Sequence, residues 1–279
     1  MISDLDKKNR ILAFELKKRW QFDKTFVLER FEFTDRKHIH HWITVTYAPL
    51  EWVNQHATFV IVGITPGEDQ AQKAYAAAKL QLLRGSDLAV ALREAKQAGS
   101  FGGEGGMRER LVAALNLVGI AQLFQVSCSS KLFESKSSVT HFTSLLKFPI
   151  FVGDRGYDGK TPIHFTKNDR LMQYHRDFFG QEIALLNHAI FLPLGETVRD
   201  QLRALAIEGK LDKRQILPWL MHPSKNNRNR YRYLLGDVSA KDASGDTHVN
   251  NVDNMRGALQ ERIEQLLQVS HWRELSIEV

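Results

Sequence analysis

The sequence predicts an α/β fold wound around a mostly parallel sheet, and three observations carry that expectation. Apolar runs of strand length recur at residues 57–64, 188–194 and 215–221. Longer segments with helical spacing lie between them, which is the alternation expected of a parallel sheet. With 43% hydrophobic residues in 279, the chain can bury a sizeable core and is too apolar to be disordered. Its formal charge of +6 favours a polyanionic partner, although distribution matters more than the total.

Residues 1–56 read as an N-terminal extension, and residues 57–279 as the main domain. The extension opens with a helix over 6–20 that alternates basic and apolar positions. A cluster from Arg36 to Trp42 follows and holds His38, His40 and His41. Their spacing matches no metal-binding signature and no paired acid is read beside them, so packing or solvation is expected. The main domain begins with a strand over 57–64 and a helical stretch over 69–98, broken near Gly85-Ser86-Asp87. A glycine-rich loop over 99–106 leads to a helix over 107–118, with Leu111, Leu115 and Val118 on one face. A strand over 122–128, an irregular stretch over 129–168 and a helix over 169–186 come next. Strand 188–194, helix 196–207, strand 215–221, a polar loop over 237–252 and a helix over 254–268 complete the chain.

The single cysteine, Cys128, excludes an internal disulfide and a cysteine-rich metal site, and a buried inert thiol is expected there. The N-terminus has no signal-peptide core and no apolar run of bilayer length is present. A soluble, cytoplasmic, monomeric protein is the expectation.

Two segments stand out chemically. Gly63-Ile64-Thr65-Pro66-Gly67 ends the first strand, where a glycine turn lets backbone approach a ligand. His222-Pro223-Ser224 ends the last strand and opens a basic, aromatic run through Tyr233. No Asp or Glu lies between Trp219 and Gly236. A histidine able to handle a proton, beside cations able to track phosphates, suggests an enzyme acting on DNA.

These segments resemble the first and last motifs of the uracil-DNA glycosylase superfamily. Three further matches fall in order between them. The loop Ser100–Gly106 and its helix look like the superfamily's pocket loop, Leu123–Cys128 like its base-reading strand, and Leu192–Thr197 like its strand–glycine–helix element. The resemblance covers about residues 57–268. It implies a three-layer α/β/α fold with a central, mostly parallel four-stranded sheet. It also implies an enzyme that flips a base out of DNA and hydrolyses its glycosidic bond, without metal or other cofactor.

Carried over by position, His222 would stabilise the departing base. Thr65 replaces the acid or amide that several families place in the first motif. A threonine holds a water but carries no charge, so Glu104, following Phe101 in the pocket loop, is the expected carboxylate; Glu68 and Asp69 are the alternatives. Gly63, Ile64, Gly67, Phe101 and Ser127 would line the base. Glycine at 67, where uracil-selective members carry a bulky aromatic, leaves room for a larger base, including a modified cytosine of phage DNA. Excision of such bases would suit a role in phage defence. Ser224, Lys225, Asn227, Arg228, Arg230 and Tyr231 would contact DNA, with Tyr231 or Tyr233 stacking. A non-catalytic reader of flipped bases is the competing expectation, and a metal-dependent nuclease using the histidine cluster is a third.

Overall fold

Where apolar residues run without interruption, both faces of a strand are buried, and a parallel sheet follows. The computed structural model describes residues 4–18, 22, 24–35, 37–101, 106–134 and 138–269. In chain order its elements begin with α1 (Asp4–Lys18), β1 (Val27–Thr34), β2 (His40–Thr46), β3 (Phe59–Gly63), α2 (Glu68–Leu83), α3 (Leu88–Gly99), α4 (Met107–Leu117) and α5 (Ile120–Leu123). Then come β4 (Thr140–Ser144), β5 (Ile150–Val152), β6 (Arg155–Gly156), α6 (Asp169–Tyr174), α7 (Gln181–Ala184) and β7 (Ile190–Pro193). Helices α8 (Glu196–Ile207), α9 (Arg228–Leu234) and α10 (Val249–Gln268) follow. The chain divides into two compact units: Met1–Val53 with Ile64–Gly102 and Ser144–Gln181, and Asn54–Gly63 with Gly103–Thr143 and Glu182–Val279.

The first unit holds an antiparallel sheet in the order β1-β2-β5-β6. The extension thus contains a β-hairpin, and the histidine cluster lies on its turn and second strand. Its turn is held by Asp35, whose Oδ1 accepts from the amides of Lys37 (2.8 Å) and Ile39 (3.0 Å). Acids do pair with the histidines: Glu32 bonds His40 at 2.6 Å and Asp35 bonds His41 at 3.1 Å. Both carboxylates come from the hairpin itself, from β1 and its turn. Two amphipathic helices, α2 and α3, pack together, and α3 starts at Asp87, whose side chain accepts from the Val90 amide at 2.8 Å. Phe22, Tyr47, Tyr75 and Phe151 form an aromatic core beneath them.

The second unit is built on a three-stranded sheet in the order β4-β3-β7. β3 and β7 run parallel with Phe59 opposite Ile190 and Val62 opposite Pro193, and every residue of both is buried. The 215–221 run continues the sheet beyond β7 only as two parallel bridges, Phe191–Ile216 and Leu194–Leu220. The central four-stranded parallel sheet is therefore not formed as four regular strands. Pro193 and Pro218 lack amide protons, so the ladder between those bridges is interrupted.

Residues 122–128 do not form a strand. Gly119 takes a left-handed φ of 92°, and Ile120, Leu123 and Phe124 follow with helical spacing as the short α5 and its cap. Phe124 meets the Phe59 ring at 4.8 Å. The third strand comes from β4, inside the stretch expected to be irregular. Phe59 N donates to Val139 O, and Leu146 N to Ile64 O, so β4 runs parallel to β3. Helix 169–186 is interrupted by a π-helical segment, His175–Gly180. The basic run after His222 is a short turn followed by α9, not a loop, and α10 begins earlier than the sequence suggests.

Candidate active site at the carboxyl edge of the parallel sheet

In the second unit, Leu194 N donates to Val62 O at 2.8 Å and Leu220 N to Pro193 O at 2.9 Å. These bonds align the carboxyl ends of β3, β7 and the 216–220 segment, so Gly63, Gly195 and His222 leave the sheet on one edge. In open α/β sheets that edge is where ligands bind. Gly195 has a φ of 107°, a conformation other residues rarely adopt, and lets the chain turn at once into α8.

The turn carrying His222 is held by side chains at three successive carbonyls. Tyr231 Oη donates to Met221 O (2.7 Å), Asn227 Nδ2 to His222 O (2.8 Å), and Arg110 Nε and Nη2 to Pro223 O (3.0 and 2.7 Å). Arg110 comes from the first turns of α4, directly after the glycine-rich loop. A fixed backbone is what an electrophilic hydrogen-bond donor needs, because less reorganisation is then left for the reaction. Burial lowers the His222 pKa from 6.5 to about 4, so the ring is neutral at pH 7 and offers an N–H rather than a full charge.

In the first unit, Thr65 Oγ1 donates to Phe148 O at 3.1 Å. Its proton is thereby committed, and toward a water it acts as an acceptor. Ile64 packs against Gly159, where an added Cβ would come within 2.5 Å of Ile64 Cγ2. Gly67 is exposed, and a Cβ there would meet only Gln70 Oε1, at 3.8 Å. Phe101 is buried at 4% exposure with a left-handed φ of 50°, an uncommon conformation for a bulky residue. Glu104, the expected carboxylate, lies outside the described residues. Glu68 and Asp69, the alternatives, are both exposed in the first turn of α2.

Ser127 is not at the sheet edge beside His222. It is exposed in a groove with Asn116, Leu117 and Gln260, at the opposite end of α4 from Arg110. From Arg110 to Asn116 the helix rises about 9 Å, so Ser127 is far from the residues that hold His222. The cause is the helical form of 120–123, which replaces the expected strand. The same displacement leaves Cys128 half-buried rather than enclosed, and hydrogen bonds from Ser130 and Asn116 lower its thiol pKa to about 7.

Of the residues assigned to DNA, Lys225 and Arg228 are exposed and Ser224 is half-buried in the turn. Asn227 and Tyr231 instead face inward as braces. Tyr231 is 1% exposed and cannot stack on a base from there. Arg230 bonds Asp246 O at 3.1 Å and Asn227 Oδ1 at 3.2 Å. Tyr233 Oη donates to Asp253 at 2.9 Å. Sequence reasoning missed Arg110 altogether, since an arginine in a helix facing solvent and one gripping a carbonyl look alike. Its place in the turn after the glycine-rich loop is the one available signal. Among the described residues, no trio of His, Cys, Asp or Glu comes together as a metal site, and no helix is long and apolar enough to cross a membrane.

The chain is 33% identical over 202 residues to YoxB, an uncharacterized protein of Bacillus subtilis (strain 168), an alignment covering 71% of this chain and 77% of that one. No family model matches the chain, and no solved structure matches it.

Proposed function

This chain belongs to the same family as the Bacillus subtilis protein YoxB, and we propose that it is a DNA glycosylase, hydrolysing the bond between a flipped base and its sugar. The observation that carries the reading is His222, neutral at pH 7 and held through three carbonyls at the carboxyl edge of a parallel sheet. The order of the segments 63–67, 100–106, 192–197 and 222–224, which resemble motifs of the uracil-DNA glycosylase superfamily, supports it; the match at 123–128 does not, since those residues are not a strand.

In this reaction the glycosidic bond breaks, its electron pair leaves with the base, and positive charge develops on the sugar. The His222 N–H bonds the base oxygen on which the negative charge collects, an interaction stronger in the transition state than before it. Glu104 stabilises the cationic sugar and takes a proton from the attacking water. That water's oxygen forms the new bond to the sugar carbon, and the released proton passes to the base. The resemblance assigns Thr65 to the holding of that water. Lys225 and Arg228 contact phosphates and recover part of the cost of flipping, a few kcal/mol.

By the resemblance, glycine at 67 in place of a bulky aromatic suits a base larger than uracil, a modified or damaged pyrimidine or purine, of which a modified cytosine of phage DNA is one case. An abasic-site assay decides the matter. Oligonucleotides carrying uracil, hypoxanthine, 5-hydroxymethylcytosine and its glucosylated form are incubated with the protein, Glu104→Gln and His222→Ala. Alkali-labile breaks at one base, abolished in both variants, are expected. Tight binding with no breaks on any substrate would replace the enzyme by a reader of flipped bases, the reading favoured by the uncharged Thr65.

A further inference from the structure

A second cavity lies in the second unit, between α8, the Pro218–Met221 segment and the start of α10. It measures about 560 Å³, within the range of small-molecule sites, and His222 does not line it. Arg199, Arg203 and Arg230 line it against one carboxylate, Glu196, which leaves the lining a formal charge of +2. Arg199 is answered by Asp200 at 2.9 Å and Glu196 at 3.9 Å. Arg203 is exposed, and Arg230 donates to the Asp246 backbone oxygen and to Asn227 Oδ1, with the Asp246 carboxylate near enough to feel its charge. The half-buried Trp219 lines the same cavity.

This combination has a chemical meaning. Guanidinium forks match phosphate oxygens, and the first turn of a long helix adds favourable dipole at the same place. An indole offers a flat face to any nucleobase without selecting its edge. A simple inorganic anion would use the arginines and leave Trp219 without a role. We infer that the cavity binds a nucleotide unit, its phosphate on Arg203 and Arg230 and its base on Trp219. The site is connected to the His222 turn, since Arg230 bonds Asn227 Oδ1 at 3.2 Å and Asn227 holds His222 O at 2.8 Å. It does not depend on the glycosylase reading.

The test is tryptophan fluorescence of the full chain, titrated with thymidine monophosphate, oligothymidylate and inorganic phosphate. A saturable quench by a thymidine ligand is expected, with affinity falling about tenfold in Arg203→Glu. The quench should disappear in Trp219→Phe and persist in His222→Ala, so failure of the glycosylase reading would not touch this one. Binding by oligothymidylate alone would identify a DNA strand as the source, and equal binding by the monophosphate a free nucleotide. No quench, an affinity unchanged in Arg203→Glu, or inorganic phosphate competing as well as the monophosphate would overturn the site. Because Arg203 is exposed, its variant should keep the wild-type melting temperature. Arg203→Gln, which removes the charge without reversing it, should show a smaller loss in the same direction.

Discussion

Two histidines of the second unit are held in different ways. His141, in β4, is 1% exposed and engaged at both ring nitrogens. The Asn54 amide meets Nδ1 at 3.4 Å, and Nε2 lies 2.5 Å from the equally buried Glu182. His222 is held instead through backbone carbonyls, and its proton affinity is set by desolvation. A ring closed by a carboxylate is a structural tie. A ring carried on a turn fixed through its backbone, at the carboxyl edge of a parallel sheet, lies where ligands bind in such folds. The difference teaches that burial alone does not assign a role; the atoms that are restrained do.

Breaking the structural tie should have the largest effect. His141→Ala strands Glu182 in the core, and loss of one member of a buried pair costs about 3–5 kcal/mol. Denaturant unfolding should show that loss while the folded fraction keeps full activity per molecule. His222→Ala should do the reverse, with wild-type melting and a fall in abasic-site formation of about 10²–10³-fold, typical of removing one preorganised donor. If both variants lose stability alone, the contrast between the two rings collapses.

The same ring makes a statement about pH. The folded pKa of His222 is depressed from 6.5 to about 4, so the unfolded chain binds the proton first as pH falls. Keeping the ring neutral therefore costs no stability above pH 6.5, and stability falls progressively as pH drops toward 4. The acid limb of the single-turnover rate assigned to His222 should therefore lie near pH 4, and His222→Ala should remove it. A limb near 6.5 that vanishes in this variant would place the ring in water.

Arg110→Ala removes two charge-assisted bonds to Pro223 O while leaving His222 in place. A rate loss of about tenfold is expected, with little change in substrate binding. Arg110→Lys, which keeps the charge and not the fork, should recover only part of it. The smallest effect belongs to the exposed cations. Arg228→Ala should reduce the slope of log K against log salt by about 1, because one phosphate is then left without its cation. An unchanged slope would remove α9 from the proposed contact with DNA.

Much of the fold was legible. β3 and β7 are unbroken apolar runs, and α2, α3, α4 and α8 carry periodic apolar faces with Asp87 and Gly195 marking their starts. β4 was hidden because its buried positions are polar. Thr140, His141 and Thr143 are 6%, 1% and 6% exposed, and nothing in their order reads as a core strand. His141 is tolerated there through Glu182, a partner far along the chain. Residues 122–128 read as a strand because a short apolar run does not distinguish strand from helix. Of the candidate site, the placement of His222 and Gly63 at strand ends was readable. The inward turn of Tyr231 and Asn227, the displacement of Ser127 and the grip of Arg110 were not.

The division has a physical basis. Strand and helix periodicity, proline's missing donor and glycine's left-handed turns act over a few residues, so the sequence alone settles the elements and the chemical groups at their ends. Which groups meet depends on the sheet order and on the rotation of each helix about its axis. Those are decided by packing among segments distant in sequence. Arg110 reaches Pro223 across such a distance, and only the folded chain brings the guanidinium to the carbonyl beside His222.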